Sequence, residues 1–287
     1  MVKGRCLCGA VSFEVDGLRP GASLCHCGRC RRMHGAPGAY SSAPAANFRF
    51  AGKENVQWYR FSHDAEQGFC RLCGSKMFWR EVGGADLDVT VGCLEKPTGI
   101  RVDRHIWTAF KGDYYEIADG LPRYAESSVG AKPLPPLAPE DCAPDGPAPQ
   151  PATLTGGCQC GAVRYRVEGR MRDVIACHCG QCLRWHGHSP GYSAARWTQV
   201  DLQGAQFIKW LVSSENARRG YCGTCGSSLF WEPKGKGTVS INAGTLDAPT
   251  GLRTVRQIFV ADKGDYYEID PAVEPFPDGQ ADKAIPF

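Results

Sequence analysis

The chain has 287 residues, a length that favours two domains over one. Hydrophobic residues make up 43% and aromatics 10%, enough for ordinary buried cores, and a net charge of +3 is too weak to single out nucleic acid or an anionic membrane as a partner. No apolar run of about 18 residues is present to span a bilayer and no apolar signal core precedes Cys6, so a cytoplasmic location is expected.

In chain order, the first signal is a C-x-C-G turn at Cys6 and Cys8, followed by alternating Val11, Phe13 and Val15, the period-two pattern of a half-buried strand. A knuckle follows, Cys25-His26-Cys27-Gly28-Arg29-Cys30, with Gly28 at its bend. Short β-rich runs come next, Phe48 to Phe50 and Trp58 to Phe61, then a C-x-x-C-G turn at Cys70 and Cys73 and a strand at Asp88 to Val91. The whole series then repeats at a constant offset of 152. Cys6, Cys25, Cys70, Trp79 and Lys111 correspond to Cys158, Cys177, Cys222, Trp231 and Lys263. Lys111 to Ile117 recurs unchanged at Lys263 to Ile269, so two copies of one fold are expected.

In the second copy Val163, Tyr165 and Val167 alternate, and Phe207 to Val212 and Thr238 to Ile241 read as strands. No window keeps a 3.6-residue period over three turns, so helix is expected only in short pieces just after each knuckle. The class is mainly β with little helix. The expected domains are residues 1–125 and 154–287, joined by a Pro- and Ala-rich linker at 126–153 that cannot form a core.

Of sixteen cysteines, fourteen lie in C-x-C and C-x-x-C motifs at matched positions and read as metal ligands rather than disulfides. Arg31 and Leu183 stand where a c-type haem site needs His, which excludes haem; an iron–sulfur cluster remains the alternative on cysteine count. Per copy, the two pairs supply four sulfurs, the complement of a closed structural zinc site: Cys6, Cys8, Cys70 and Cys73, and Cys158, Cys160, Cys222 and Cys225. That leaves two trios, Cys25, Cys27 and Cys30, and Cys177, Cys179 and Cys182, each one ligand short. Up to four zinc ions per chain are expected. The competing assignment interleaves pairs and trio around two metals; seven sulfurs still cannot close two all-cysteine sites. Cys93 and Cys142 have no counterpart in the other copy.

These motifs resemble the glutathione-dependent formaldehyde-activating enzyme family, which also includes centromere protein V. The resemblance rests on Gly4-x-Cys6-x-Cys8-Gly9-Ala10-Val11-x-Phe13, on Cys25-His26-Cys27-x-x-Cys30-Arg31 and on Phe69-Cys70-x-x-Cys73-Gly74-Ser75. Its second-copy equivalents open at Gly156, Cys177 and Tyr221, and Gly244-Thr245-Leu246-Asp247-x-Pro249 and His105-Ile106 also match. The resemblance implies a β-tent fold of small sheets, a structural zinc on the paired motifs and a catalytic zinc on the trio. It implies condensation of glutathione with formaldehyde to S-hydroxymethylglutathione, a carbon–sulfur lyase reaction run in reverse. The copies depart from each other: Gln257 replaces His105, and the first copy has Gly92-Cys93-Leu94-Glu95 where the second keeps Gly-Thr-Leu-Asp. Duplication suggests that the copies pack as a pseudo-dimer.

A thiol bound at the open position of a trio would attack a small aldehyde as thiolate. His34 and His186, four residues past each knuckle, are the candidate proton donors for the alkoxide, against a solvent-supplied proton with both histidines structural. Arg29, Arg31 and Arg32 at the first trio, and Arg184 at the second, are candidates to receive the carboxylates of glutathione, against a role in offsetting thiolate charge. On that reading the first trio favours an anionic thiol. The rival functions are a non-catalytic zinc-binding interaction module and an enzyme of the same fold acting on another thiol adduct or imine.

Overall fold

The computed structural model describes residues 1–135 and 149–279. Cys142 lies outside them. The chain is mainly β, and each copy builds one small sheet and one long one. In the first copy Val2–Arg5, Ser12–Val15 and Phe48–Ala51 pair antiparallel. The alternation read from the sequence holds, because Phe13 and Val15 point into the core while Ser12 and Glu14 are only partly covered. Phe13 meets Phe48, Phe50 and Phe78 there, edge-on or tilted.

The long sheet of the first copy runs in the order Arg101–Ile106, Gly21–Cys25, Gly38–Pro44, Asp86–Thr90, Lys76–Glu81, Ala65–Cys70, Val56–Arg60. Only its first pairing is parallel. The second copy repeats both sheets and adds Glu274–Pro275 as an eighth strand. No helix among the described residues is long and apolar enough to cross a membrane.

Among the described residues each copy has one α-helix, α1 (Gly28–His34) and α2 (Gly180–His186). They start inside the knuckles rather than after them. Cys27 and Cys179 are the N-caps, whose sulfurs accept the N–H of Cys30 and Cys182, so the metal-ligand spacing and the first helical turn are one structure. Gly35 and Gly187 end the helices in the left-handed conformation, with their N–H groups on the carbonyls of Arg31 and Leu183.

Helix ends meet the other copy. The C-terminal turn of α1 packs on the 3-10 turn Ala243–Thr245, and that of α2 on Val91–Cys93. A Cβ on Gly92 would lie 2.4 Å from the Leu183 carbonyl oxygen, and one on Gly244 2.3 Å from that of Arg31. The glycine of the Gly-Thr-Leu-Asp motif is therefore fixed by backbone contact between copies. Between the helices, Met33, Phe69, Trp185 and Tyr221 form a buried cluster in which Met33 corresponds to Trp185 and Phe69 to Tyr221. The indole of Trp185 also donates to the Cys73 carbonyl at 2.6 Å.

The repeated Lys-Gly-Asp-Tyr-Tyr-Glu-Ile segments cross over. Tyr114 joins the core of the second copy and Tyr266 that of the first. Asp113 accepts from the backbone and hydroxyl of Thr250, and Asp265 does the same for Thr98. The start of the expected linker is tied back to the first copy, since Glu126 accepts from Trp107 N–H and Leu134 N–H donates to the Arg123 carbonyl. Cys93 is a packing thiol where the second copy has Thr245; it donates to the Lys76 carbonyl at 3.2 Å.

Because the obstructing atoms at Gly92 and Gly244 are backbone, Gly92→Ala and Gly244→Ala should each destabilise by about 1–3 kcal/mol. For a chain of this size that lowers the melting temperature by roughly 2–10 °C. A thermal melt of each variant checks this; an unchanged midpoint would mean that the copies part there without cost.

Candidate metal centres

The paired motifs converge as the spacing suggested. In the first copy the two turns bring the sulfurs of Cys6, Cys8, Cys70 and Cys73 within 4.8 Å of one another, and the second copy does the same with Cys158, Cys160, Cys222 and Cys225. Cys6 and Cys8 are 3.5 Å apart and Cys8 and Cys70 3.9 Å; the matching separations in the second copy are 3.5 and 3.8 Å. A tetrahedron with zinc–sulfur bonds of about 2.3 Å has edges of about 3.8 Å, so these sulfurs fit zinc as they stand. Val11 N–H and Val163 N–H point at the sulfurs of Cys6 and Cys158. Ser75 and Ser227 bridge Cys73 and Cys225 to the backbone of Leu7 and Gln159, which explains the serine of each C-x-x-C-G-S motif.

The trios form separate groups, so the interleaved arrangement is not the one the chain builds. Cys25 ends a strand, Cys27 caps α1 and Cys30 lies in its first turn; Cys177, Cys179 and Cys182 repeat this. Among the described residues no fourth His, Cys, Asp or Glu joins either trio. Their walls are aromatic: Tyr40, Trp79 and Trp107 pack around the first, and Tyr192, Trp231 and Phe259 around the second. Trp107 and Phe259 are matched positions held at φ of 59° and 57°, the left-handed region that bulky residues avoid. Two such residues, each against its trio, hold backbone strain of the kind that clusters at functional sites.

The thiols of each trio bias one another. Hydrogen bonds from Cys25 and Cys30 hold the Cys27 thiol down to about 3, and those from Cys177 and Cys179, with Arg219 behind them, hold Cys182 well below its ordinary value. Arg219 is the residue that reading the sequence missed. It is 3% exposed, and its guanidinium donates to the Cys182 sulfur at 3.5 Å, the Gln181 side chain at 2.8 Å and the Tyr192 hydroxyl at 3.1 Å. Its counterpart in the first copy is Gln67, whose amide nitrogen lies 3.5 Å from the Tyr40 hydroxyl.

The residue-pattern matches of the glutathione-dependent formaldehyde-activating enzyme family fall on residues 1–110 and 153–262, one per copy and each containing all seven matched cysteines. The chain belongs to that family. A Schizosaccharomyces pombe protein described as an uncharacterized lyase is 28% identical over 134 residues, 44% of this chain and 93% of the relative. A crystal structure of a Rhodobacter sphaeroides protein is 33% identical, covering 33% of this chain and 88% of its own, with a TM-score of 0.29.

Within this family frame, the histidines lie behind the trios rather than on them. His34 is fully buried, and its Nδ1 donates to the His186 carbonyl at 2.5 Å; His186 Nδ1 returns the bond to the His34 carbonyl. Those carbonyls fix the tautomers, so Nε2 of each ring accepts from a tyrosine hydroxyl, Tyr40 at 2.6 Å and Tyr192 at 2.7 Å. The proton expected directly from His34 or His186 has no direct path: both nitrogens are bonded, and Tyr40 and Tyr192 stand between the rings and the sulfurs.

The arginines do not assemble the expected basic rim. Arg32 bridges to the carbonyls of Gly157 and Thr245 and to Asp247 of the second copy, and Arg31 donates to the Phe110 carbonyl. Arg184 feels Arg5, Cys93 and Glu95 of the first copy, and burial lowers its pKa. Arg29 alone is exposed, over the ring of Phe61.

The substitution of Gln257 for His105 also acquires a physical meaning. The Asp119 carboxylate accepts from His105 Nε2 at 2.9 Å, so His105 Nδ1 accepts from His26 Nε2 at 2.9 Å, and His26 Nδ1 accepts from the Tyr115 hydroxyl at 2.6 Å. This chain of bonds opens on a cavity of about 560 Å³ between the copies. In the second copy Pro271 replaces Asp119, and Gln257 donates instead to the carbonyls of Asp270 and Val273.

Burial holds the His34 pKa at about 4 and the His188 pKa at about 3. Below about 6.5 the unfolded chain takes up protons that these folded rings refuse, so their contribution to stability is complete above that pH and is lost as pH falls towards the folded values. Each ring contributes about 1.4 kcal/mol per pH unit in that window. Chemical denaturation between pH 7 and 5 should show this fall, and His34→Asn should make it shallower by one ring's share. An identical slope in the variant would show that the ring is not the source.

Proposed function

We propose that the chain is a zinc-dependent carbon–sulfur lyase-type enzyme that adds a thiol to formaldehyde, with glutathione as the thiol. The observation that carries this reading is the pair of three-cysteine clusters, each without a fourth His, Cys, Asp or Glu among the described residues, walled by aromatics and backed by a Tyr–His pair. The closed four-sulfur clusters are assigned to structural zinc, and the trios to zinc that reacts. When bound, zinc in a trio supplies a position at which an external thiol loses its proton.

The remaining chemistry falls to side chains. Tyr40 packs against Cys25 and Cys30 with its hydroxyl proton directed at His34, so its oxygen is the group placed to take the thiol proton. The sulfur lone pair then forms the carbon–sulfur bond, the carbonyl π pair moves to oxygen, and the proton returns through Tyr40 to that oxygen, giving S-hydroxymethylglutathione. Tyr192 and His186 hold the same places in the second copy. Trp79, Trp107, Trp231 and Phe259 limit the space at the sulfurs to a small electrophile and exclude water. The two copies act as a pseudo-dimer, with each helix braced by the other copy.

Five variants test this division. Cys70→Ser and Cys222→Ser should lose soluble protein or melt far lower, since structural zinc binding is folding free energy on the order of 10 kcal/mol. Cys27→Ser and Cys179→Ser should stay folded and each lose about one zinc, measured by elemental analysis; collapse of either would refute the assignment. Tyr40→Phe together with Tyr192→Phe should keep all zinc yet slow the formation of S-hydroxymethylglutathione, followed by NMR, by about 10²-fold. If the wild-type chain gives no rate above the spontaneous reaction, glutathione and formaldehyde are not its substrates.

A further inference from the structure

The two trios are not chemically equal, because one has a buried cation against a ligand sulfur and the other does not. We infer that Arg219 makes the second trio the one that takes an anionic fourth ligand, a thiolate in particular, whereas the first trio, with Gln67 in that place, favours a neutral one. This rests on the reading of the trios as metal sites.

The argument is one of charge. Three thiolates on a divalent ion leave one net negative charge, and a fourth thiolate makes it two in a largely buried setting. At the second trio the guanidinium of Arg219 touches the Cys182 sulfur, so the same addition leaves a single negative charge. Arg219 cannot swing away. Gln181 and Tyr192 hold two of its prongs, Trp185 lies under it at 5.2 Å, and strand 217–222 fixes its backbone.

At the first trio the corresponding position offers only an amide, long from Tyr40, while Arg29 lies over Phe61, Arg31 is bonded to the Phe110 carbonyl and Arg32 to Asp247. The sequence places more arginine beside the first knuckle, yet the fold puts the cation on the second. With a metal held by Cys177, Cys179 and Cys182, an incoming thiol would release its proton to the buffer and donate a sulfur lone pair to the open fourth position; no electrons would change hands.

Cobalt(II) loaded in place of zinc reports sulfur ligands by near-ultraviolet absorption, without needing turnover. Cys27→Ser leaves the second trio and Cys179→Ser the first, and each is titrated with 2-mercaptoethanol, whose only ionising group is its thiol, and with imidazole as neutral ligand. The second-trio protein should bind 2-mercaptoethanol on the order of tenfold more tightly than the first-trio protein, with similar imidazole affinities. Arg219→Gln in the second-trio protein should erase the thiol advantage and leave imidazole binding unchanged, and Gln67→Arg in the first-trio protein should create it.

Equal thiol affinities in the two single-trio proteins overturn the inference, even if the Arg219 variant fails to fold. A parallel loss of thiol and imidazole binding in Arg219→Gln also overturns it, by showing a merely structural role. If neither single-trio protein binds more cobalt than its two closed clusters hold, the metal reading of the trios falls, and the inference falls with it.

Discussion

Bringing four cysteine sulfurs within 4.8 Å, from turns some 62 residues apart, is the constraint on which each copy of this chain depends. Buried thiolates at that separation repel one another unless a cation sits among them, and as thiols they would make only weak hydrogen bonds. The closed cluster therefore ties the small sheet, which carries Cys6 and Cys8 at its first turn, to the long sheet, which carries Cys70 and Cys73 at the turn between two strands. It replaces part of the core that such short strands cannot provide. With that corner fixed, strand 21–25 and helix α1 can present the trio from the opposite region of the long sheet.

The second constraint is mutual. Neither helix ends in its own copy: each finishes against a glycine turn of the other, and His34 and His186 exchange hydrogen bonds with each other's carbonyls. The Tyr–His pair beside one trio is consequently oriented by the backbone of the copy that holds the other. This couples the packing of the copies to the chemistry at the sulfurs, because a shift of α2 moves the carbonyl that fixes the tautomer of His34.

The cysteine spacing made the clustering of the sulfurs legible, since side chains within a turn or a two-turn helix are set by local geometry, and the constant offset of 152 made the duplication legible. The strands followed from period-two alternation at Phe13, Val15, Tyr165 and Val167. What sequence proximity misjudged was the arginines. Arg31 and Arg32 follow Cys30 directly, but successive residues on a helix point about 100° apart, so Arg31 reaches the Phe110 carbonyl of its own copy and Arg32 crosses to the other copy, while the sulfur faces the trio. The cation that reaches a trio comes from position 219, on a strand 37 residues past Cys182. Aligning the copies exposes it, since position 67 is neutral and position 219 charged within otherwise similar strands. Tyr40, Tyr192, Trp107 and Phe259 carried no motif at all; only the fold brings them to the sulfurs.

Joining the copies in one chain also permits a difference that a dimer of identical chains forbids. Lys76 is fully buried with its ammonium 4.1 Å above the Trp185 ring, and its counterpart is Ser228. Two-fold symmetry would require a second lysine at position 228, where the second copy has a buried serine, and desolvation already depresses the one present. The same freedom allows His105 and Asp119 to extend the hydrogen-bonded chain from His26 in the first copy only, and a guanidinium to sit on a ligand sulfur in the second only. Each copy thus holds a polar group that its partner copy lacks at the matched position: Lys76 against Ser228, His105 against Gln257, and Arg219 against Gln67. A shared fold with unequal charge at its two trios is the arrangement those substitutions jointly produce.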